Sequence, residues 1–391
     1  MNKLSLEISE AIKSVVNDSN LYLHEPIFDE LEKNNLNDCI DSSFVSSVGQ
    51  YVDKFEKMIA EFTNSKKAIA LVNGTSALHL ALKVLGINAN DEVICPSLTF
   101  VATANAISYL NAKPHFVDIN EKTLGIDPLA LEKWLDQITI EKDGKSINKN
   151  TGRRIKAIIP MHTFGHPVEI DSIVEIANRF NLSVIEDAAE SLGSFYRKKH
   201  TGTFGKVGIL SFNGNKIITT GGGGALLTND NKIAAYAKHL STTAKVKHDW
   251  RFIHDQIGFN YRLPNLNAAL GCAQMKKLPF FIESKRNLFI KYFEAFRNIK
   301  GVTLLSEPTN AKSNYWLQTL VLEEGYEEEL EEILEHTNTS GIMTRPAWEL
   351  LHNLEIYKDC QKSPLPISES LSKRIINIPS SAFLARDKSN L

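Results

Sequence analysis

Apolar and polar positions alternate between two periods along the middle of the chain. KAIALV (67–72) is a short apolar run, and TSALHLALKVLG (75–86) follows with apolar residues at helical spacing and stops at Gly86. DEVICP (91–96) reads as a strand, ATANAISYLNA (102–112) as a helix and KPHFVDI (113–119) as a strand. Asp127-Pro128 then opens a helix to about Leu135, because Asp caps free amides and Pro suits the first helical position. Further strands are predicted at 155–161, 182–187, 207–212 and 224–229, with a helix at 169–180 between the first two. This alternation predicts an α/β fold with a mostly parallel sheet covered on both faces. Several strand runs are apolar throughout, as burial of both faces requires. Ligands of such a sheet bind at the strand ends and the loops that leave them.

The pattern changes towards the C-terminus. Residues 140–154 are polar and turn-rich and read as an exposed hairpin. After about 275 come a long helical pattern (280–298), a strand (314–324) and a helix (326–341) ending near Gly341. The division is therefore a large unit (1–275) and a smaller α+β unit (276–391), with the first 60 residues packed on the small unit or bridging to the large one. Hydrophobic residues make up 43% and charged residues 23%, ordinary globular usage. Net charge is -2, and without a basic excess nucleic acid is not the expected partner. Cys39, Cys95, Cys272 and Cys360 form no C-x-x-C pair, so neither a zinc site nor a disulfide framework is expected. Glu7 and Glu10 interrupt any leader-like apolar run, and residues 93–110 are too polar to span a bilayer. The expectation is a cytoplasmic protein with no membrane partner.

Three segments carry chemistry. In NGTSALHLAL (73–82), a strand leads through Gly-Thr-Ser into a helix, where backbone amides and hydroxyls make an anion site; the alternative is an ordinary capped helix start. VIEDAAES (184–191) places two acids at the end of an apolar strand, where a carboxylate can hold a cationic ring nitrogen or simply cap a helix. SFNGNKIITTGGGG (211–224) puts Lys216 after a strand end and before four glycines. A lysine there is a candidate carbonyl-attacking amine, or a solvated side chain in a flexible turn. Walker and dinucleotide-binding glycine patterns are absent.

Taken together, the cradle, the acid and the lysine occur in the order found in fold-type-I enzymes that use pyridoxal 5′-phosphate (PLP). The chain resembles the DegT/StrS family of nucleotide-sugar aminotransferases from about 22 to 382. The resemblance rests on SSVGQYVDKFE (46–56), NGTSALHLAL (73–82), CPSLTFVATANAI (95–107), PMHTFGHP (160–167), IEDAAESLGS (185–194), TGTFGKVGILSFNGNKIITTGGGG (201–224) and GFNYRLPNLNAA (258–269). PMHTFGHP and the polar insertion before it resemble the branch acting on UDP-linked 4-keto-6-deoxy-N-acetylhexosamines, which supplies sugars such as legionaminic acid.

The resemblance implies that Lys216 is joined covalently to PLP and also moves protons as general acid–base. It implies that Asp187 pairs with the pyridine nitrogen, Phe100 stacks on the ring, and Gly74, Thr75 and Ser211 hold the phosphate. Asn260 is implied to reach the neighbouring subunit's phosphate, making a homodimer with shared sites. L-glutamate is the implied amine donor, and C4 of the sugar the implied acceptor. Glu190 stands where the family usually has Gln, and the expectation is that it carries a proton in the resting enzyme. Asn213 replaces a residue that is often aromatic or His and lies on the substrate side. His162 matches a family His near the cofactor. Arg345, Trp348 and His352 are candidate substrate contacts. His162 and His166 form H-x-x-x-H, but Gly165 and Pro167 make a loop of it, so no metal is expected. Arg197-Lys198-Lys199-His200 reads as a basic hairpin turn, either solvated or assisting a sugar diphosphate. Other possibilities are a GDP- or dTDP-linked substrate, a sugar dehydratase, and a non-catalytic regulator that kept the fold. Lys216 argues against the dehydratase, which carries His there, and the intact trio of Lys216, Asp187 and Ser211 argues against the regulator.

Overall fold

A computed structural model describes residues 3–16 and 21–385. Helices α1 (Lys3–Val15), α2 (Glu30–Asp41) and α3 (Gln50–Thr63) come first. The central sheet is built from β1 (Lys67–Leu71), β2 (Glu92–Pro96), β3 (Lys113–Val117), β4 (Ile155–Ile158), β5 (Ser183–Asp187), β6 (Val207–Ser211) and β7 (Gly224–Thr228). Its order is β1-β7-β6-β5-β4-β2-β3, with Gln361–Lys362 added beside β3. The run from β6 to β3 is parallel, whereas β7 is antiparallel to both its neighbours. Consequently β1, β5 and β6 end at one edge.

The helices between strands are α4 (Gly74–Val84), α5 (Ala102–Ser108), α6 (Pro128–Ile138), α7 (Ile170–Arg179) and α8 (Asn231–Ser241); α9 (Asn265–Phe296) and α10 (Leu330–Thr339) follow. Period-2 alternation sends Ile69 and Leu226 to one face, where they meet Leu78 and Leu82 of α4 and Leu240 of α8. Ala70, Leu210, Ala225 and Leu227 face the other way, onto Phe55 and Ile59 of α3 and Cys272 and Leu278 of α9. Ile94, Ile158 and Val184 pack on α6 and α7. All five residues of β2 and of β7 are buried, as the apolar runs required. Each fully buried Leu here contributes roughly 2 kcal/mol, so the sheet is a rigid base for its edge.

The predicted cap of α6 is present: Asp127 Oδ1 accepts the Ala130 amide at 2.8 Å and Pro128 opens the helix. Thr139–Lys142 and Lys145–Asn148 form the expected antiparallel hairpin. The long helix differs from expectation. It begins at Asn265, not near 280, and runs through position 275 with Pro279 in its interior. Proline normally marks a helix start or stop, and that rule hid its first half. The strand expected at 314–324 is shorter, Gln318–Leu322, because residues 313–316 form a turn instead. That strand joins Val302–Leu304, Ile375–Ile378 and Arg345–Pro346 in an antiparallel sheet. Leu4, Ile8 and Ile12 of α1 share its core with Leu288 and Tyr292 of α9, while Tyr51 and Phe55 of α3 belong to the core of the large sheet. The first 60 residues thus reach both.

Candidate active site

The edge where β1, β5 and β6 end gathers the three segments. Gly224 lies in register between Leu71 of β1 and Ser211 of β6. A Cβ at Gly224 would stand 2.5 Å from the Asn73 carbonyl and 2.7 Å from the Gly74 amide, so only glycine lets β7 start this close to the turn into α4. A Cβ at Gly74 would lie 3.3 Å from Ser211 Oγ. Asn73 caps α4, its Oδ1 accepting the Ser76 amide at 2.7 Å. The amides of Gly74 and Thr75 open the helix and have no acceptor within it, and the Ser211 side chain lies beside Gly74. A helix start open in this way can receive an anion.

Asp187 ends β5. Its Oδ2 accepts the Thr103 hydroxyl at 2.8 Å and its Oδ1 the Ala189 amide at 3.2 Å. Burial pushes its pKa up, against the pull of these bonds and of Lys216. Lys216 Nζ donates to Glu190 Oε1 at 3.0 Å and sits 3.8 Å from the centre of the Trp316 ring. The other Glu190 oxygen accepts the Phe164 amide at 2.9 Å. Burial raises the Glu190 pKa too, with Lys216 opposing. The arrangement therefore sets an amine between an aromatic face and a poorly solvated carboxyl, on the segment that leaves β6, at the sheet edge where β5 ends in Asp187.

The remaining candidates divide. Phe100 is half exposed, its ring 6.4 Å from that of Trp348, which in turn packs on Phe164 at 5.0 Å. These aromatics flank Glu190 through Phe164. Asn213 is exposed; its side chain bonds Asn215 and its carbonyl accepts the Lys216 amide at 3.0 Å. His162 has both ring nitrogens engaged: one meets Glu186 at 3.1 Å and the other accepts the Val168 amide at 3.2 Å. Glu186 precedes Asp187 on the strand and so points to the opposite face. His162 thus stands behind the strand end. His352 bonds Ser97 at 2.7 Å and lies 3.5 Å from Glu369; Arg345 bonds Asn338 and the Thr344 carbonyl. Asn260 is exposed, in a bridge opposite Thr242. The 197–200 segment does make a tight hairpin, with Arg197 paired to Asp171 at 2.8 Å, but His200 is buried.

Residues 26–390 match the DegT/DnrJ/EryC1/StrS aminotransferase family. The chain belongs to that family. It is 37% identical over 366 residues to the GDP-perosamine synthase of Escherichia coli O157:H7, covering 94% of each. It is 36% identical over 372 residues to the putative pyridoxal phosphate-dependent aminotransferase EpsN of Bacillus subtilis, covering 94% of this chain and 92% of that one. Among solved structures, Helicobacter pylori PseC, an aminotransferase involved in the biosynthesis of pseudoaminic acid, superposes with a TM-score of 0.84 at 28% identity, over 93% of this chain and 94% of that one. This DegT-family chain is an aminotransferase of the fold-type-I class, and the cofactor of such enzymes is PLP. The residues present fit it. The Gly74–Ser211 cradle suits a phosphate, buried Asp187 suits a protonated ring nitrogen, and Lys216 lies within electrostatic reach of Asp187.

Two residues at the site were not singled out from sequence. Trp316 covers Lys216, and its indole donates to the Asn215 carbonyl at 2.7 Å. Asn314 ties that turn to the Glu190 loop: its amide donates to the carbonyls of Glu190 and Leu192, both at 2.9 Å, while its Oδ1 accepts the Trp316 amide at 2.8 Å. The stretch NYWLQTLVLEE carried only a strand pattern. The signal that could have found them is the Ser313-Asn314 pair two residues ahead of Trp316, since such side chains bond backbone amides two residues on and bend the chain. No described helix is long and apolar enough to cross a membrane.

Proposed function

We propose that this sugar aminotransferase moves an amino group from L-glutamate to C4 of a nucleotide-linked 4-keto-6-deoxy sugar, UDP-linked and N-acetylated, for surface-glycan or nonulosonic-acid synthesis. The observation that carries the reading is Lys216, fixed between Trp316 and Glu190 at the edge that also holds Asp187 and the Gly74–Ser211 cradle. Bound there, PLP supplies the electron sink that parks the amino group between donor and acceptor. Gly74, Thr75 and Ser211 bind its phosphate. Asp187, buried and poorly solvated, gains more from a cationic ring nitrogen than it would in water. Phe100 covers the ring. Lys216 Nζ removes a proton from the donor's α-carbon and returns one at the sugar carbon. Burial disfavours the ionised form of Glu190, and the neighbouring Lys216 opposes that effect.

The shared-site homodimer belongs to this reading. It is supported by exposed Asn260 and by the apolar residues near it in sequence, Trp250, Phe252 and Ile257, which are 76%, 80% and 84% exposed. A GDP-linked sugar is the second reading, favoured by the 37% identity to GDP-perosamine synthase. A coupled assay with glutamate against UDP-, GDP- and dTDP-linked 4-keto sugars decides. Highest turnover with the UDP-linked N-acetylated sugar supports the first reading. Preference for the GDP sugar replaces it with the second, and no amine transfer to any of them removes both.

A further inference from the structure

Threonines inside the longer helices spend their hydroxyls locally. Thr63 of α3 donates to the Ile59 carbonyl at 2.8 Å, and Thr337 and Thr339 of α10 donate to the carbonyls of Ile333 and Glu335 at 2.7 and 2.8 Å. Each bond returns to the residue four positions back, the usual habit of a helical hydroxyl. Ser108, at the end of α5, does the same with Ala104 at 3.0 Å. Thr103, also in α5, does not. Its side chain is wholly buried and donates to Asp187 Oδ2 at 2.8 Å, 84 positions away in sequence. This hydroxyl leaves its own helix for a carboxylate at the reactive edge.

The bond joins the exits of three strands. Thr103 follows β2, Asp187 ends β5, and β4 lies between those strands in the sheet. Beyond the end of β4, Met161 pairs with Asp187 in a parallel bridge, and its Sδ accepts the Thr99 hydroxyl at 2.7 Å. The Thr99 and Thr103 hydroxyls are 3.1 Å apart. The same turn of chain carries Phe100, whose carbonyl accepts the Thr103 amide at 3.1 Å. Residues 99–103 therefore place Phe100 and a hydroxyl on Asp187 from one short, fixed segment.

Among the described residues, Asp187 takes one hydrogen bond on each oxygen, from Thr103 and from the Ala189 amide. A carboxylate oxygen has two lone pairs, so each keeps one for a further N–H. Without the Thr103 donor, one oxygen of a buried carboxylate would lose its protein partner, which disfavours the charged form that a cationic ring needs. We propose that Thr103 is a positioning residue for the cofactor: its hydroxyl fixes the orientation of the Asp187 carboxylate and stabilises its charge, and thereby strengthens the hold on the ring nitrogen. This rests on the reading above that Asp187 pairs with that nitrogen.

The test reads cofactor affinity rather than turnover. PLP is stripped from the full-chain holoenzyme, and PLP or its deaza analogue, in which a C–H replaces the ring nitrogen, is titrated back by quenching of tryptophan fluorescence. Thr103→Val keeps the shape of the side chain and loses the hydroxyl, whereas Thr103→Ser keeps the hydroxyl and loses a methyl. The valine variant is expected to bind PLP about tenfold more weakly than the wild type, the loss expected for one hydrogen bond to a charged group. The serine variant should stay within about threefold of the wild type. All three should bind the deaza analogue within about twofold of one another, since Asp187 has no ring N–H to hold there. Thr103→Ser and Thr103→Ala, which also differ by the hydroxyl alone, carry the test if the valine variant does not fold. Equal weakening of both cofactors by the loss of the hydroxyl, a serine variant as weak as valine, or unchanged PLP affinity overturns the proposal. A wild type that binds the deaza analogue as tightly as PLP points instead to failure of the underlying reading of Asp187.

Discussion

Acid should unfold this protein through its buried neutral histidines. His166 and His200 are both pushed down to about 4 from the ordinary value of 6.5, burial being the main cause in each. The His200 Nε2 accepts the Gly193 amide at 2.8 Å while its other nitrogen faces the Thr201 carbonyl, so a second ring proton has no acceptor and breaks the first bond. Among the described residues, neither nitrogen of His166 has a hydrogen-bond partner. A base whose folded pKa is depressed contributes stability above its unfolded pKa and loses it as pH falls from there to the folded pKa. The window is therefore pH 6.5 down to about 4. Between pH 7 and pH 5 each ring should remove about 2 kcal/mol, because the unfolded ring protonates and the folded one does not. Asp187 and Glu190 act in the opposite sense: their raised pKa values make acidification favourable to the folded state, which masks part of the loss in the wild type alone. The comparison to make is urea unfolding of wild type and His166→Leu, side by side at pH 7 and pH 5, at one protein and one cofactor concentration. The variant's stability should fall by about 2 kcal/mol less than that of the wild type. A difference below about 0.5 kcal/mol would refute the reasoning, since it would mean the folded His166 ring protonates as readily as the unfolded one.

Three further outcomes follow from the site. Gly224→Ala drives a Cβ to 2.5 Å from the Asn73 carbonyl and should weaken cofactor binding about tenfold or more by the usual cost of overpacking, with the fold retained; a fluorescence titration giving the wild-type affinity would contradict the close-approach argument. Glu190→Gln should keep most activity near neutral pH and change the shape of the kcat/KM pH profile, because it removes a buried carboxyl whose pKa burial raises; superimposable pH profiles would show that this proton is not used. Asn260→Ala and Lys216→Ala should each be impaired alone, yet mixed dimers should recover up to about half of wild-type activity, because one site is then intact. Mixtures with no recovery would argue against a site shared between subunits.

Much of the central sheet was legible in the sequence because its strands are bounded by strong punctuation. Asp127-Pro128 announces α6, and the apolar run before Asn73-Gly74-Thr75 announces β1 and the cradle. The three chemical segments were legible for the same reason, since each sits where an apolar strand stops. Legibility ended where a local rule competes with tertiary packing. Pro279 reads as a boundary, but the helix passes through it, because Leu278, Phe281 and Ile282 on either side are held in the core. It ended again where a contact joins distant segments. Trp316 over Lys216 and Asn314 beneath the Glu190 loop are through-space facts with no trace in local period. The family resemblance pointed to His162, but sequence spacing gave no sign that Glu186 and the Val168 amide occupy both its nitrogens.

The central claim is that Lys216 carries the cofactor. Borohydride reduction of the freshly purified holoenzyme, followed by digestion and peptide mass analysis, tests this most directly. The reduced pyridoxyl group should sit on the peptide containing Lys216. Its appearance on another lysine, or the absence of any labelled peptide from protein that binds PLP, would contradict the assignment.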